Sequence, residues 1–314
     1  MRLSRPKGAP GPTLTLESSR LKLAPGRRAT NATLALALRS SQGGQHTVKL
    51  PAGAVLQAVL VDGDPRPIRQ QGQAVTLPIR PGLQNLSLSW RQDFGILPLF
   101  AVPEVDLGAP SVNSSTIVEL GEDRWMLLTG GPALGPAVLF WGVLAVLAGA
   151  AWGLGRMDWT PLKARHWFLL LIGLSQVELA VAACVVGWLF ALGWRGRRGE
   201  GLDDSRFNAA QLGLTLFSVV SLLCLFYAVS NGLLGLPDMQ VAGNDSTAWM
   251  LNWYQDRAAN LLPRPWLLSA PLWSYRALML LWALWLAYAL LSWLRWGWGC
   301  YTAGGLWRPR KRSG

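Results

Sequence analysis

The stretch that decides the fold is residues 167–194, WFLLLIGLSQVELAVAACVVGWLFALGW, in which Glu178 is the only charged side chain. An apolar run of about 18 or more residues is long enough to cross the roughly 30 Å hydrocarbon core of a bilayer as a helix. Similar apolar runs lie at about 134–155, 208–235 and 272–296. The sequence therefore predicts a four-helix transmembrane bundle within residues 129–300.

The residues before this region alternate between apolar and polar instead. In NLSLSW, residues 85–90, the apolar side chains Leu86, Leu88 and Trp90 share one side of an extended chain. Short runs of this kind, separated by Gly- and Pro-containing turns, recur at intervals of roughly 8–12 residues. We therefore expect a multidomain membrane protein, with an N-terminal all-β sandwich-like domain over residues 13–128 followed by the four-helix transmembrane bundle.

Three further segments are assigned from composition and spacing. Residues 1–12 are basic and rich in Pro and Gly, which predicts a disordered lead-in, and residues 301–314 form a basic tail. Residues at about 245–262 predict an amphipathic helix, which at this length lies on the bilayer surface rather than crossing it. Its apolar side is formed by Leu251, Tyr254, Ala258 and Leu261.

The composition bears on partners. The chain is 51% hydrophobic with mean hydropathy +0.26 and a formal net charge of +12. Most of the basic residues of the apolar half lie at predicted helix ends and in the tail, where anionic headgroups account for them. We therefore expect the lipid bilayer and other membrane or envelope proteins as partners, and no nucleic acid. The sequence does not identify a small-molecule ligand.

Glu178 is the most informative candidate site residue, because it lies about 16 Å along the predicted helix from Trp167. An ionised carboxylate near the centre of a bilayer costs about 3 kcal/mol or more, so it must be protonated, paired or hydrated. Gln211, Thr215 and Ser218 recur at helical spacing on the next predicted helix and are its candidate partners. These residues form either a proton, cation or substrate site, or a hydrogen-bonded contact that fixes helix packing.

The first predicted helix carries a candidate packing face. Gly142, Gly149 and Gly153 lie along one side, and the last two have the GxxxG spacing that lets a second helix approach closely. The alternative interpretation is that glycine is simply frequent in membrane helices.

Motifs for catalysis or metal binding are missing. The chain has no Walker loop and no HExxH, GxSxG or CxxC sequence. Its three cysteines lie in or beside apolar segments, and its two histidines are far apart, so neither a disulfide framework nor a zinc site is predicted. Asp62 and Asp64 in VDGDP predict a turn rather than a calcium site. We therefore predict no catalytic residue, no metal and no cofactor.

Several stretches resemble the C-terminal part of large bacterial envelope proteins of no known activity. They are LRSSQGGQHTVKLPAGA (38–54), PIRQQGQAVTLPIRPG (67–82), VDLGAPSVN (105–113), LTGGPALGPAVLFWG (128–142), DMQVAGNDSTAWMLNWYQDR (238–257) and GLWRP (305–309). The resemblance covers nearly the whole chain. It implies that this chain is a shortened relative of proteins that carry extracytoplasmic β-domains upstream.

The orientation stays open at this point. Four crossings place both termini on one side of a bacterial inner membrane, and the basic residues near the helix ends favour the cytoplasm for that side. The resemblance instead implies a periplasmic β-domain. Two functions follow: a non-enzymatic multipass membrane protein that presents its β-domain for interaction or assembly of envelope components, or a small transporter or channel subunit that uses Glu178.

Overall fold

The computed structural model describes residues 13–198 and 203–308, which divide into two compact units. The β unit consists of the chain up to Leu139 together with Met239–Ala270, and the helical unit of Phe140–Asp238 together with the chain from Pro271. The predicted lead-in 1–12 and the last part of the predicted tail, 309–314, lie outside the described residues.

The β unit is built on a seven-stranded sheet. In order across the sheet, its strands are β13 (Met250–Ala258), β9 (Ser111–Glu119), β1 (Leu14–Pro25), β2 (Thr30–Ser40), β7 (Gly82–Gln92), β4 (Ala54–Val61) and β5 (Asp64–Pro65). Neighbouring strands are antiparallel except β1 and β9, which are parallel. The predicted turn at Asp62 and Gly63 joins β4 to β5, and both residues adopt the positive φ that this two-residue turn requires.

Three smaller sheets complete this unit. Strands β10 (Arg124–Gly130), β14 (Trp266–Pro271) and β8 (Leu99–Ala101) form one, β3 (Gly44–Lys49) and β6 (Ala74–Ile79) the second, and β11 (Ala137–Val138) and β12 (Val241–Ala242) the third. The predicted alternation is confirmed, since Leu86, Leu88 and Trp90 are buried. They belong to a core formed by the seven-stranded sheet, the three-stranded sheet and the pair β3 and β6. Complete burial of each such side chain contributes about 1.5–3 kcal/mol.

The prediction of an amphipathic surface helix at 245–262 is wrong. Residues 250–258 form β13, which pairs with β9 at the edge of the large sheet. Leu251 and Trp253 are buried, so the apolar residues follow the two-residue period of a strand rather than a helical period. The domain boundary at 128 is also corrected, because the first segment of the β unit extends to Leu139 and a second segment, Met239–Ala270, belongs to the same unit.

The helical unit contains five helices among the described residues rather than the predicted four. They are α1 (Phe140–Leu154), α2 (Ala164–Leu174), α3 (Leu179–Arg198), α4 (Asp204–Leu234) and α5 (Leu272–Thr302). Of these, α3, α4 and α5 are long and apolar enough to cross a membrane, and α1 and α2 are shorter.

The extra helix arises because the predicted helix 167–194 is broken at residues 175–178. Backbone and side-chain groups of the break form hydrogen bonds with neighbouring residues. The Gln176 carbonyl accepts a hydrogen bond from Asn231 Nδ2 at 3.0 Å, and Gln176 Oε1 accepts one from the Asp238 backbone N–H at 3.1 Å. Ser175 Oγ donates to the Ile172 carbonyl at 2.8 Å. A continuous apolar run therefore contains two helices, because the Ser-Gln pair supplies the hydrogen bonds that a break requires.

The side-chain contacts fix the directions of the three long helices. Trp188 Nε1 donates to Ser218 Oγ at 2.9 Å and Arg195 Nε to Gln211 Oε1 at 3.1 Å, so α3 and α4 are antiparallel. Gln211 Nε2 donates to the Tyr301 carbonyl at 3.0 Å, which brings the last turn of α5 to the same place. We call this end of the helical unit, where α3 and α5 end and α4 begins, the arginine end.

The loop between α1 and α2 also reaches the arginine end. Arg197 donates to the Asp158 carbonyl, and a side chain at Gly193 would collide with the Trp159 carbonyl. The helix α1 therefore begins at the opposite end, where the α2–α3 break meets the last turns of α4. The start of α5 lies at that opposite end too.

Replacing Trp253 tests the placement of β13. Trp253→Ala removes a buried indole from the core of the β unit, which we expect to cost about 3–5 kcal/mol of unfolding free energy. Gln255→Ala, on the exposed part of the same strand, is the matched control and should change stability by about 0.5 kcal/mol or less. The measurement is urea unfolding of the full chain in detergent, followed by hydrogen exchange of peptides from β9. Equal, small effects of both substitutions would show that residues 250–258 do not pack in this sheet.

Candidate functional site

Glu178 is not inside the bundle. It precedes the first residue of α3, and its carbonyl accepts the first backbone hydrogen bonds of that helix, from Val181 at 3.0 Å and Ala182 at 3.2 Å. Its side chain is exposed and makes no hydrogen bond or ion pair within the part of the chain that the structure describes. The prediction of a mid-helix carboxylate is therefore wrong, because the break at 175–178 moves Glu178 to a helix end.

The other three members of the predicted site do lie together on α4. Gln211 bridges α3 and α5, through the Arg195 side chain and the Tyr301 carbonyl. Thr215 Oγ1 lies 2.9 Å from the Tyr301 hydroxyl, and Ser218 accepts from Trp188. These three residues form a polar stripe on α4 that faces the neighbouring helices. Its hydrogen bonds hold α4 to α3 and α5, and Glu178 is not among its partners.

Arg195 is a residue whose role the sequence did not reveal. An arginine in the last turn of an apolar helix is expected to be exposed, yet only 1% of the Arg195 surface is exposed. Its guanidinium carbon lies 4.2 Å from the centre of the Phe207 ring, and the Arg308 guanidinium carbon lies 4.1 Å from the same ring. Spacing offered one signal, since Trp188, Leu192 and Arg195 recur along one helical side and the first two are buried.

The predicted glycine packing face is not packed against any of residues 13–198 and 203–308. A methyl group built on Gly142, Gly149 or Gly153 would meet no atom within 4 Å. Close helix approach occurs at other glycines instead. Added side chains at Gly173 and Gly232 would collide with Trp282 and Met279 of α5.

The β unit carries an open groove of about 470 Å³ on the face of the large sheet that lies away from the core. The strand register places one lining residue per strand in a row across six strands. The row consists of Tyr254, Ser115, Arg20, Ala35, Ser87 and Leu60. Ser115, Ala35 and Ser87 contribute small side chains to the row, whereas Arg20 on the central strand β1 contributes a long, exposed one.

Hydrogen bonds fix one end of this groove. The Tyr254 hydroxyl donates to Asn113 Oδ1 at 2.8 Å, and Asn113 Nδ2 donates to the Glu17 carbonyl at 3.1 Å. Asn113 has a φ of 50°, in the left-handed region that Asn tolerates better than most residues. Half of the lining residues carry hydroxyl or amide groups and Arg20 is charged, while alanine, leucine and glycine form the rest. The groove therefore offers both hydrogen-bonding groups and apolar surface to a ligand or a partner.

Metal-binding clusters are not found in residues 13–198 and 203–308, where no group of three His, Cys, Asp or Glu side chains could hold an ion. His46 in β3 is a core residue. Its Nε2 donates to the Leu107 carbonyl at 2.6 Å, and burial lowers the pKa of the imidazole, so the neutral form is favoured.

Comparison with known proteins gives little further information. No family model matches the chain, and no curated protein matches it. Among solved structures, an M1 zinc metallopeptidase from Deinococcus radiodurans is similar with 15% identity and a TM-score of 0.31, over 39% of this chain and 35% of that one. Native leukotriene A4 hydrolase from Saccharomyces cerevisiae is similar with 12% identity and a TM-score of 0.27, over 36% and 24%. The TM-scores are too low to carry any conclusion about this chain.

Paired substitutions separate the two parts of the predicted polar site. Gln211→Leu leaves Arg195 Nε and the Tyr301 carbonyl without their partner and should destabilise the helical unit by about 1–3 kcal/mol. Glu178→Leu and Glu178→Gln should each stay within about 0.5 kcal/mol of the wild type, because the carboxylate is exposed. Unfolding of the full chain in mixed detergent micelles measures both. A large loss of stability for Glu178→Leu, with none for Gln211→Leu, would contradict this placement and would support a Glu178 side chain inside the bundle.

Proposed function

We propose that this chain is a non-enzymatic, multipass protein of a bacterial inner membrane, whose helical unit anchors the β unit and presents its groove for interaction with other envelope components. The observation that carries the proposal is the open groove on a unit joined to helices long enough to span a bilayer. The resemblance to bacterial envelope proteins supports the same setting.

The surfaces of the long helices support membrane insertion. Large apolar side chains on α4 and α5 point away from the helical unit, for example Leu216, Phe226 and Leu284, each more than three-fifths exposed. In water, apolar surface of this extent would be costly, whereas lipid chains cover it without loss. At 1.5 Å per residue, α4 and α5 are about 46 Å long, enough to cross the hydrocarbon core and reach both headgroup layers.

The continuity of the β unit supports an even number of crossings between its two segments. Its two chain segments are separated by α1 to α4, yet they form one sheet, so both lie on the same side of the bilayer. The chain between them must therefore cross an even number of times. Helices α3 and α4 provide two crossings. The short helices α1 and α2 either cross once each or form a hairpin that returns to its own side, and both cases keep the number even.

The distribution of basic residues supports one orientation of the helical unit in the membrane. Those at the arginine end are Arg156, Lys163, Arg165, Arg195, Arg197, Arg198, Arg206, Arg295 and Arg308. Those within about 20 residues of the opposite helix ends are Arg124, Arg257, Arg264 and Arg276. Because Lys and Arg are retained on the cytoplasmic side, we assign the arginine end to the cytoplasm and the β unit to the periplasm. The final helix α5 then carries the C-terminal end to the cytoplasm, opposite to the β unit.

The transporter alternative depended on Glu178 together with the polar stripe of α4. Glu178 lies outside the bundle, and Gln211, Thr215 and Ser218 are engaged in hydrogen bonds between helices. No observation favours that alternative, and we propose only the presenting role.

Labelling of single cysteines tests the orientation. In a chain whose native cysteines are replaced by alanine, Thr76→Cys is exposed on the β unit and Ser205→Cys is exposed at the arginine end. A membrane-impermeant maleimide should label position 76 in cells with a permeabilised outer membrane, and position 205 only after the inner membrane is opened. Labelling of 205 but not 76 in intact inner membranes would reverse the assignment.

Site-specific photo-cross-linking tests the groove. With p-benzoylphenylalanine in place of Ser87, irradiation of the host's membranes should give a discrete adduct with another envelope component. Ala35→Trp, which fills the groove floor, should remove that adduct at unchanged protein level. The photoreactive residue at Thr76, exposed on a different sheet, is the matched control and should give none. An adduct that persists with Ala35→Trp, or that forms equally from position 76, would contradict the proposed role of the groove.

A further inference from the structure

We propose that Arg195 is the centre of a binding site for the phosphate group of an anionic phospholipid, at the arginine end of the helical unit. The inference goes beyond the role of the β unit. It rests only on the part of the proposed function that places the helices in a membrane.

The first observation is a buried cation whose donors are not satisfied. Arg195 donates from Nε to Gln211, but neither Nη1 nor Nη2 has a hydrogen-bond partner. The guanidinium makes no ion pair with any described residue, and Asp203 and Asp204 at the start of α4 do not contact it. Because a buried guanidinium without a counter-charge costs several kcal/mol, a nearby anion would be strongly favoured.

The second observation is a like charge close by. The Arg195 and Arg308 guanidinium carbons lie 4.2 and 4.1 Å from the centre of the Phe207 ring, so they are no farther apart than the sum of these distances. Hydrogen bonds between Asn208 and the Arg308 backbone, at 2.7 and 3.0 Å, hold the second arginine in place. Two cations at this separation repel each other, and an anion bound at Arg195 would offset that repulsion.

The third observation is an apolar crevice beside the cation. Arg195 lines a cavity of about 200 Å³ between α3 and α4. The other lining residues are Ala191, Trp194, Ala210, Gly213, Leu214 and Phe217. The small residues on both helices leave space for this cavity, and its mainly apolar walls suit an acyl chain rather than a hydrated ion. A guanidinium next to an acyl-sized crevice therefore selects an anionic amphiphile over free phosphate.

The site has a defined mode of binding. The Nη atoms are shielded from solvent when no ligand is present, so the guanidinium must turn toward the crevice that it already lines. The planar fork of Arg can then give two parallel hydrogen bonds to one phosphate. Trp194, Trp298 and Tyr301 lie at the same end of the unit, as aromatic residues do at the headgroup layer.

The test is thermal unfolding of the full chain in an uncharged detergent after lipid removal, with graded additions of phosphatidylglycerol. Phosphatidylcholine with the same acyl chains and inorganic phosphate are the comparison additions. We expect phosphatidylglycerol to raise the unfolding temperature and the other two to leave it unchanged. Arg195→Gln should raise the half-maximal phosphatidylglycerol concentration about tenfold, the size expected for loss of a charge-assisted contact. Arg206→Gln, which removes an exposed arginine at the same end, should leave it unchanged.

Ala210→Trp fills the crevice while keeping the guanidinium, and it should weaken the phosphatidylglycerol effect to a similar extent. This variant carries the test if Arg195→Gln does not fold. Equal phosphatidylglycerol midpoints in the wild type and in either of these two variants would overturn the proposal. An equal temperature shift with inorganic phosphate alone would also overturn it, because the site would then bind a free anion. Absence of the photo-cross-linked adduct from position 87 would contradict the proposed role of the groove and would leave these lipid measurements unaffected.

Discussion

The structure depends on one pairing, that of strand β13 with strand β9. These strands are far apart in sequence, yet eight register pairs join them from Met250 and Glu119 to Ala258 and Ser111. The pairing covers an edge of the large sheet that would otherwise expose unsatisfied backbone groups. It also buries Leu251 and Trp253 in the core. A chain that leaves the β unit for four helices must therefore come back to it.

That return explains the break in the long apolar run. In the membrane arrangement that we propose, an uninterrupted helix over 167–194 would give three crossings before residue 239 and would separate the two β segments by the bilayer. The Ser175–Glu178 break divides this run into α2 and α3 and makes the number of passes even. The polar groups of Gln176 meet Asn231 and Asp238 at the end of α4, so the break is stabilised where the chain turns toward the β unit. One set of hydrogen bonds thus serves both local structure and topology.

Much of this fold could be predicted from the sequence, and the exceptions have physical causes. The alternation in residues 85–90 predicted the buried side of β7, and the long apolar runs predicted α4 and α5. Residues 245–262 were misassigned because Leu251, Tyr254 and Ala258 also fit a helical period, and only β9, more than a hundred residues away, selects the strand. The site was harder to predict. Glu178 is predicted as a site residue because it is a charge within an apolar run, yet it is exposed. Arg195, at a helix end, is the buried charged residue, because Phe207 and Gln211 of the next helix enclose it.

The pairing of β13 with β9 can be measured directly by a disulfide. In the chain without its native cysteines, Ile117→Cys and Asn252→Cys occupy register partners, while Ile117→Cys with Asp256→Cys is out of register on the same strands. Mild oxidation should cross-link the first pair within the folded protein and give a faster-migrating, reducible species, and should leave the second pair reduced. Failure of the first pair to cross-link in a folded chain, or equal cross-linking of both pairs, would contradict a β unit closed by residues on both sides of the helices.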